Sequence, residues 1–170
     1  MTTATTPHAA SRPPLRLEAG GLEITFAWAG DRWGHRVTHR GRFVVESVEG
    51  PGPDGDPRWP ASPALQEVTA TEAGGRPAIV GVGSAGRSHF SASLTEHPLL
   101  PDTVLVELAC RILEPAGWLG ATYVDGAGTV VSVAAAATDP PPLTVRWAYR
   151  LGPRGPVPEP GDLSASAGPA

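Results

Sequence analysis

Three groups of residues in this chain have types and spacings that could do chemistry: a glycine-rich run, five histidines, and a small set of hydroxyl and thiol side chains. Gly81, Gly83 and Gly86 match the Gly-x-Gly-x-x-Gly pattern that places a dinucleotide pyrophosphate at a helix N-terminus. That mechanism needs a helix after the third glycine, whereas Arg87 to Leu94 alternates polar and apolar residues as a strand does. The glycines therefore predict a hairpin turn, and no cofactor is expected. His35 and His39 are four apart, which on a strand separates them by about 13 Å, too far to share an ion. No His-x-His pair supplies the chelate of cupin-type jelly rolls. A metal or proton-transfer site would have to be assembled across strands from His35, His89 and an acid such as Glu46 or Glu107.

Nucleophilic catalysis finds equally little. There is no Gly-x-Ser-x-Gly elbow, and Cys110 lies among Leu108, Ala109 and Ile112, where it reads as a small buried hydrophobe. Paired-carboxylate hydrolysis has no local signature, since the acids are scattered singly. What remains is recognition. His89 shares a strand face with Ser91 and Ser93, opposite Phe90, Ala92 and Leu94, and Arg111 projects away from Cys110. If one mouth of the fold is open, His89, Ser91 and Arg111 line it with Tyr123 and offer hydrogen bonds to an anionic or hydroxylated ligand. Trp28, Trp33 and Trp147 fall on apolar strand faces and belong to the core. Trp59 and Trp118 fall in loops and are the ligand-facing aromatic candidates, unless each simply pins its loop.

The elements that would position these groups are strands. Apolar and polar residues alternate at period two from Leu22 to Trp28, Trp33 to His39, Phe43 to Ser47, and in later runs ending with Leu143 to Arg150. Thr103 to Leu113 fits either a strand or a helix capped by Asp102; five alternations favour the strand. The predicted fold is all-β, an antiparallel sandwich or flattened barrel of about nine or ten strands. Residues 17–151 form this domain, flanked by disordered tails at 1–16 and 152–170. Glu49 to Pro63, rich in Gly and Pro, reads as one long loop.

Composition narrows the function further. The chain has 21 Gly and 20 Pro in 170 residues, and every basic side chain is Arg. Absence of Lys removes Schiff-base and phosphate-loop chemistry, and absence of Asn removes N-glycosylation. A net charge of −4 with dispersed arginines disfavours nucleic acid. One cysteine allows no intrachain disulfide, no stretch is long and apolar enough for a membrane span, and the N-terminus does not read as a signal peptide. The expectation is a cytoplasmic protein.

The segments Asp31 to His35, Gly86 to Ser93, Ala109 to Arg111 and Leu119 to Tyr123 resemble uncharacterised proteins of similar size from planctomycete-type bacteria. The resemblance implies a bacterial, single-domain protein and carries no activity with it. Taken together, the residues favour a non-catalytic binding domain for a small molecule or a protein partner. The alternatives are a metal-assisted or His-based enzyme using His35 and His89, and an assembly protein or homo-oligomer acting through the Pro-rich segment Pro156 to Pro160.

Overall fold

The computed structural model of the protein describes residues 12–137 and 139–160. Twelve strands follow one another along the chain, and among the described residues there is no helix. The first sheet contains β1 (Leu15–Ala19), β2 (Leu22–Trp28), β3 (Trp33–His39) and β4 (Arg42–Ser47). The chain then builds β5 (Glu67–Ala73), β6 (Arg76–Ala85), β7 (Ser88–Glu96) and β8 (Val104–Ile112) in the second sheet. It returns to the first sheet for β9 (Gly120–Asp125) and β10 (Val130–Ala134), and ends in the second with β11 (Leu143–Gly152) and β12 (Gly155–Pro158). The spatial orders are β1-β2-β3-β4-β9-β10 and β12-β11-β8-β7-β6-β5, antiparallel throughout.

The two sheets share one hydrophobic core, which makes the fold a β-sandwich. Leu22, Ile24 and Phe26 of β2 face Val104, Val106 and Leu108 of β8 and Val145 and Trp147 of β11 within the same buried cluster. Each fully buried aliphatic or Phe side chain contributes about 1.5–3 kcal/mol relative to exposure. The ambiguous segment is a strand, β8, with Val104, Val106, Leu108, Cys110 and Ile112 all turned inward.

The sequence-based count of nine or ten strands falls short because the chain builds strands inside both predicted tails. Leu15 and Arg16 belong to β1, and residues 155–158 form β12 against β11. Prolines disguise β12, but an edge strand tolerates them because their missing N–H groups are not needed by a further neighbour. The Pro-rich segment expected to act as a free ligand is thus partly built into the sheet, and Glu159 beside it is held by Arg150 at 2.9 Å. The remainder of the predicted tails, residues 1–11 and 161–170, lies outside the described residues.

Phe43 also departs from its predicted face. Val37 pairs with Val45 but Thr38 with Phe43, so Val44 is an extra residue, a bulge that reverses the alternation. Val45 stays in the core while Phe43 turns outward beneath the guanidinium of Arg36.

Of the three motif glycines, Gly81 and Gly83 lie inside β6 and only Gly86 falls in the turn between two strands. Gly86, with φ of +56°, makes the β6–β7 turn. Gly83 has no room for a Cβ because the backbone of Ala64 and the amide of Gln66 lie directly over it. Gln66 uses both ends of its side chain on the backbone of Ser84.

Candidate functional site

His35 projects from β3 into the sandwich, stacked on Phe26 with ring centroids 5.0 Å apart and edge-on to Tyr123. Its Nε2 lies 2.8 Å from the hydroxyl of Tyr123, which is itself 2.6 Å from the hydroxyl of Tyr149. One orientation of protons satisfies both phenols. Tyr149 donates to the Tyr123 oxygen, Tyr123 donates to His35 Nε2, and the imidazole proton sits on Nδ1. Burial pushes the His35 pKa down to about 4, so the ring is neutral near pH 7 and can accept from Tyr123. The same burial raises both phenol pKa values, keeping them protonated donors.

Beside His35 the first sheet splits. Arg36 pairs with Glu46, but one residue further the amide of His35 donates to the hydroxyl of Ser47 rather than to a strand carbonyl. Beyond that point Trp33 donates to Leu65 and Val48 donates to Thr122, so β3 and β4 part company. Ser47 Oγ donates onward to Glu49 Oε1 at 2.7 Å. Glu49 lies across Gly34, where a Cβ would stand only 3.2 Å from its Cγ; glycine at this position makes the room.

The carboxyl of Glu49 is half satisfied. Oε2 is shielded from solvent and has no hydrogen-bond partner among the described residues, and the same is true of Arg32 Nη1 and Trp33 Nε1. Burial raises the Glu49 pKa, while the Ser47 hydrogen bond and the charge of Arg32 act in the opposite direction. Arg32 is engaged by Asp31 through two hydrogen bonds of 3.0 and 2.7 Å.

His35 and Glu49 border two spaces. Inside the sandwich they line, with Trp33, Ser62 and Tyr149, a cavity of about 20 Å³, large enough for one water molecule. On the outer face of the first sheet they lie at the floor of a groove of about 530 Å³ running over β2, β3 and β4. Glu23, Thr25, Trp28, Arg36 and Glu46 form its walls. Arg36 is paired with Glu46 at 3.1 Å, and the indole of Trp28 is covered by the guanidinium of Arg12, 3.8 Å from the ring centroid. The groove therefore presents more acceptors than donors, with Glu49 the carboxyl whose unused oxygen is shielded from solvent.

The predicted pocket does not assemble. His89 and Arg111 are opposite one another in the β7–β8 register and, with Ser91, lie exposed on the outer face of the second sheet. Tyr123 is in the first sheet and wholly buried, so it cannot join them. His35 and His89 are likewise separated, one facing inward from the first sheet and the other outward from the second. Glu46 and Glu107 lie on the outer faces of opposite sheets, and among the described residues no three metal-ligating side chains converge.

Neither loop tryptophan is a stacking platform. Trp59 is 4% exposed and closes the long loop through Gly52 donating to its carbonyl, while Trp118 is half-buried and donates to Ala61. Both pin the 49–63 loop, which is further tied by Arg58 to Asp56 and Glu114.

Sequence reasoning did not select Ser47, Glu49 or Tyr149 as site residues. A signal for Glu49 exists, because Val45, Ser47 and Glu49 continue the inward alternation of β4 and so aim a carboxyl at the core end of the sheet. Comparison of the chain with protein-family models, curated proteins and solved structures finds no match in any of the three.

Proposed function

We propose that the chain is a non-catalytic binding module that holds a small, donor-rich molecule, a polyol or an amine, in the groove over β2, β3 and β4. The observation that carries this reading is the unpartnered Oε2 of Glu49 beneath a groove walled by Glu23, Thr25 and Glu46. A buried carboxyl oxygen without a donor is costly, about 1–3 kcal/mol. Because Oε2 is shielded from solvent, a ligand hydroxyl or ammonium must displace part of the groove floor to reach it; the hydrogen bond then recovers that energy, so affinity and donor specificity come from the same group. The neutral His35 beneath the floor is hydrogen-bonded to Tyr123 and, through it, to Tyr149.

Titration calorimetry with a series of monosaccharides, linear polyols and primary amines tests the proposal. A ligand of this class binds the wild-type chain, and Glu49→Gln weakens it about tenfold, equivalent to about 1.4 kcal/mol. Binding unchanged in Glu49→Gln, or no heat with any member of the series at millimolar concentration, overturns it.

A further inference from the structure

Each outer face carries charges paired within the chain and charges left open; on the second sheet the pair is Arg150 with Glu159. On the first sheet the ion pairs close within the chain, Arg16 with Glu23 and Arg36 with Glu46. On the second sheet Glu67, Glu107, Arg111 and Arg146 all point outward from β5, β8 and β11, and none has an ion-pair or hydrogen-bond partner among the described residues. The surface between them is made of short side chains. Val80 and Val82, on the strand next to the β5 edge, are 41% and 50% exposed there.

The strand register fixes how these groups are laid out. Glu67 pairs with Val82, Val82 with Ser91, Ser91 with Ala109, and Ala109 with Arg146. This is one straight row across five strands, an acid at one end and a guanidinium at the other, about 19 Å apart at about 4.8 Å per strand. The short Ala109 leaves a hollow of about 260 Å³, bordered by Ser91, Ser93, Glu107 and Arg146.

We propose that this face is an interface between two copies of the chain, related by a twofold axis running along β7. Such an axis exchanges the two ends of every row while keeping the row itself in place. Glu67 of each copy then meets Arg146 of the other, and Val82 of each enters the hollow over Ala109 of the other. The same operation makes two ion pairs and two knob-in-hollow contacts, with Ser91 facing Ser91 at the axis; in the neighbouring rows it sets Glu107 opposite Val80 and Arg111 opposite Ser84, so the ion pairs rest on Glu67 and Arg146 alone. No other arrangement of the row is needed, because its acid and base, and its large and small residues, sit at mirror positions about β7. Five strands and about 26 Å of strand length give a patch of about 600 Å² per copy. The total of about 1,200 Å² is at the low end of specific interfaces, so the dimer is expected to be concentration-dependent.

Sedimentation velocity of the full chain over a wide concentration range provides the test. The wild-type chain passes from monomer to dimer. Glu67→Arg alone and Arg146→Glu alone each weaken dimerisation about tenfold or more, because each sets like charges opposite one another. The double variant with both substitutions recovers the dimer, since the exchanged charges again face their complements. Both positions are exposed, and thermal melts of each variant confirm that the fold is retained. A monomer at all concentrations, a dimer indifferent to the single substitutions, or a failure of the double variant to recover overturns the proposal.

Discussion

The hydroxyls of Tyr123 and Tyr149 lie 2.6 Å apart, one side chain entering from each sheet, so the two layers of the sandwich are joined by a hydrogen bond inside the core. His35 extends the link on the side of the first sheet. The position of each phenol in this chain determines what its removal costs.

Tyr123→Phe should destabilise the protein more than Tyr149→Phe. Removing the Tyr149 hydroxyl deletes one hydrogen bond and leaves Tyr123 donating to His35, a loss of about 0.5–1.5 kcal/mol. Removing the Tyr123 hydroxyl deletes both bonds and leaves a buried phenol and a buried imidazole nitrogen unpaired, about 2–6 kcal/mol at about 1–3 kcal/mol per orphaned group. Urea unfolding of the two variants measures the difference. Equal losses would show that the hydroxyls do not act in series.

Stability should fall as the pH drops from about 6.5 to about 4. His35 in the unfolded chain titrates near the ordinary histidine value of 6.5, but in the folded protein only at about 4. Between those values the unfolded state binds the extra proton, so acid favours unfolding, by up to about 3 kcal/mol for about 2.5 units. Glu49 acts with the opposite sign: its raised pKa favours the folded form in acid, and that contribution is lost as pH rises through the folded value. His35→Gln, whose amide oxygen can still accept from Tyr123, should flatten the acid slope. Denaturant midpoints across this range decide it, and an unchanged slope would remove His35 as the cause.

Cys110 should resist a thiol reagent until the protein unfolds. It is fully buried, and burial pushes its pKa up to about 12, so almost no thiolate is present at neutral pH. Labelling followed by mass spectrometry with and without denaturant tests this; fast stoichiometric modification of the native chain would contradict it.

A chain cut to residues 17–151 should melt more than about 5 °C below one spanning 12–160, a difference on the order of 1 kcal/mol. The shorter form loses the first two residues of β1 and all of β12, together with the Glu159 contacts to Arg150 and His97. Matched melting temperatures would mean that the edge strands add nothing to stability.

The fold class was legible because most strands bury one face, and a period of two in Val104 to Ile112 or Leu143 to Leu151 is imposed directly by that burial. The edge strands were not, since β5 is exposed along most of its length and β12 is half proline. The candidate site was legible only in part. Inward pointing of His35 followed from its neighbours Trp33 and Val37, but the side chain that hydrogen-bonds its ring, Tyr123, comes from β9, 88 residues away. No local pattern reports that β4 leaves β3 beyond Glu46, and that departure is what brings Ser47 and Glu49 beneath the groove. His89, Ser91 and Arg111 were placed on the correct kind of surface, and the error was to add a core tyrosine from the other sheet.

The return of the chain to the first sheet has a kinetic consequence. β4 pairs with β9 through Val45 and Asp125, residues 80 positions apart, after β5 to β8 have all been built elsewhere. Closing so long a loop is entropically costly before its contacts repay it, so the two halves of the first sheet should meet late in folding, with relaxation in the millisecond-to-second range. Until then the edges of β4 and β9 are both unpaired, and the exposed ladder groups on them make the partly folded chain, rather than the finished sandwich, the species most prone to associate wrongly.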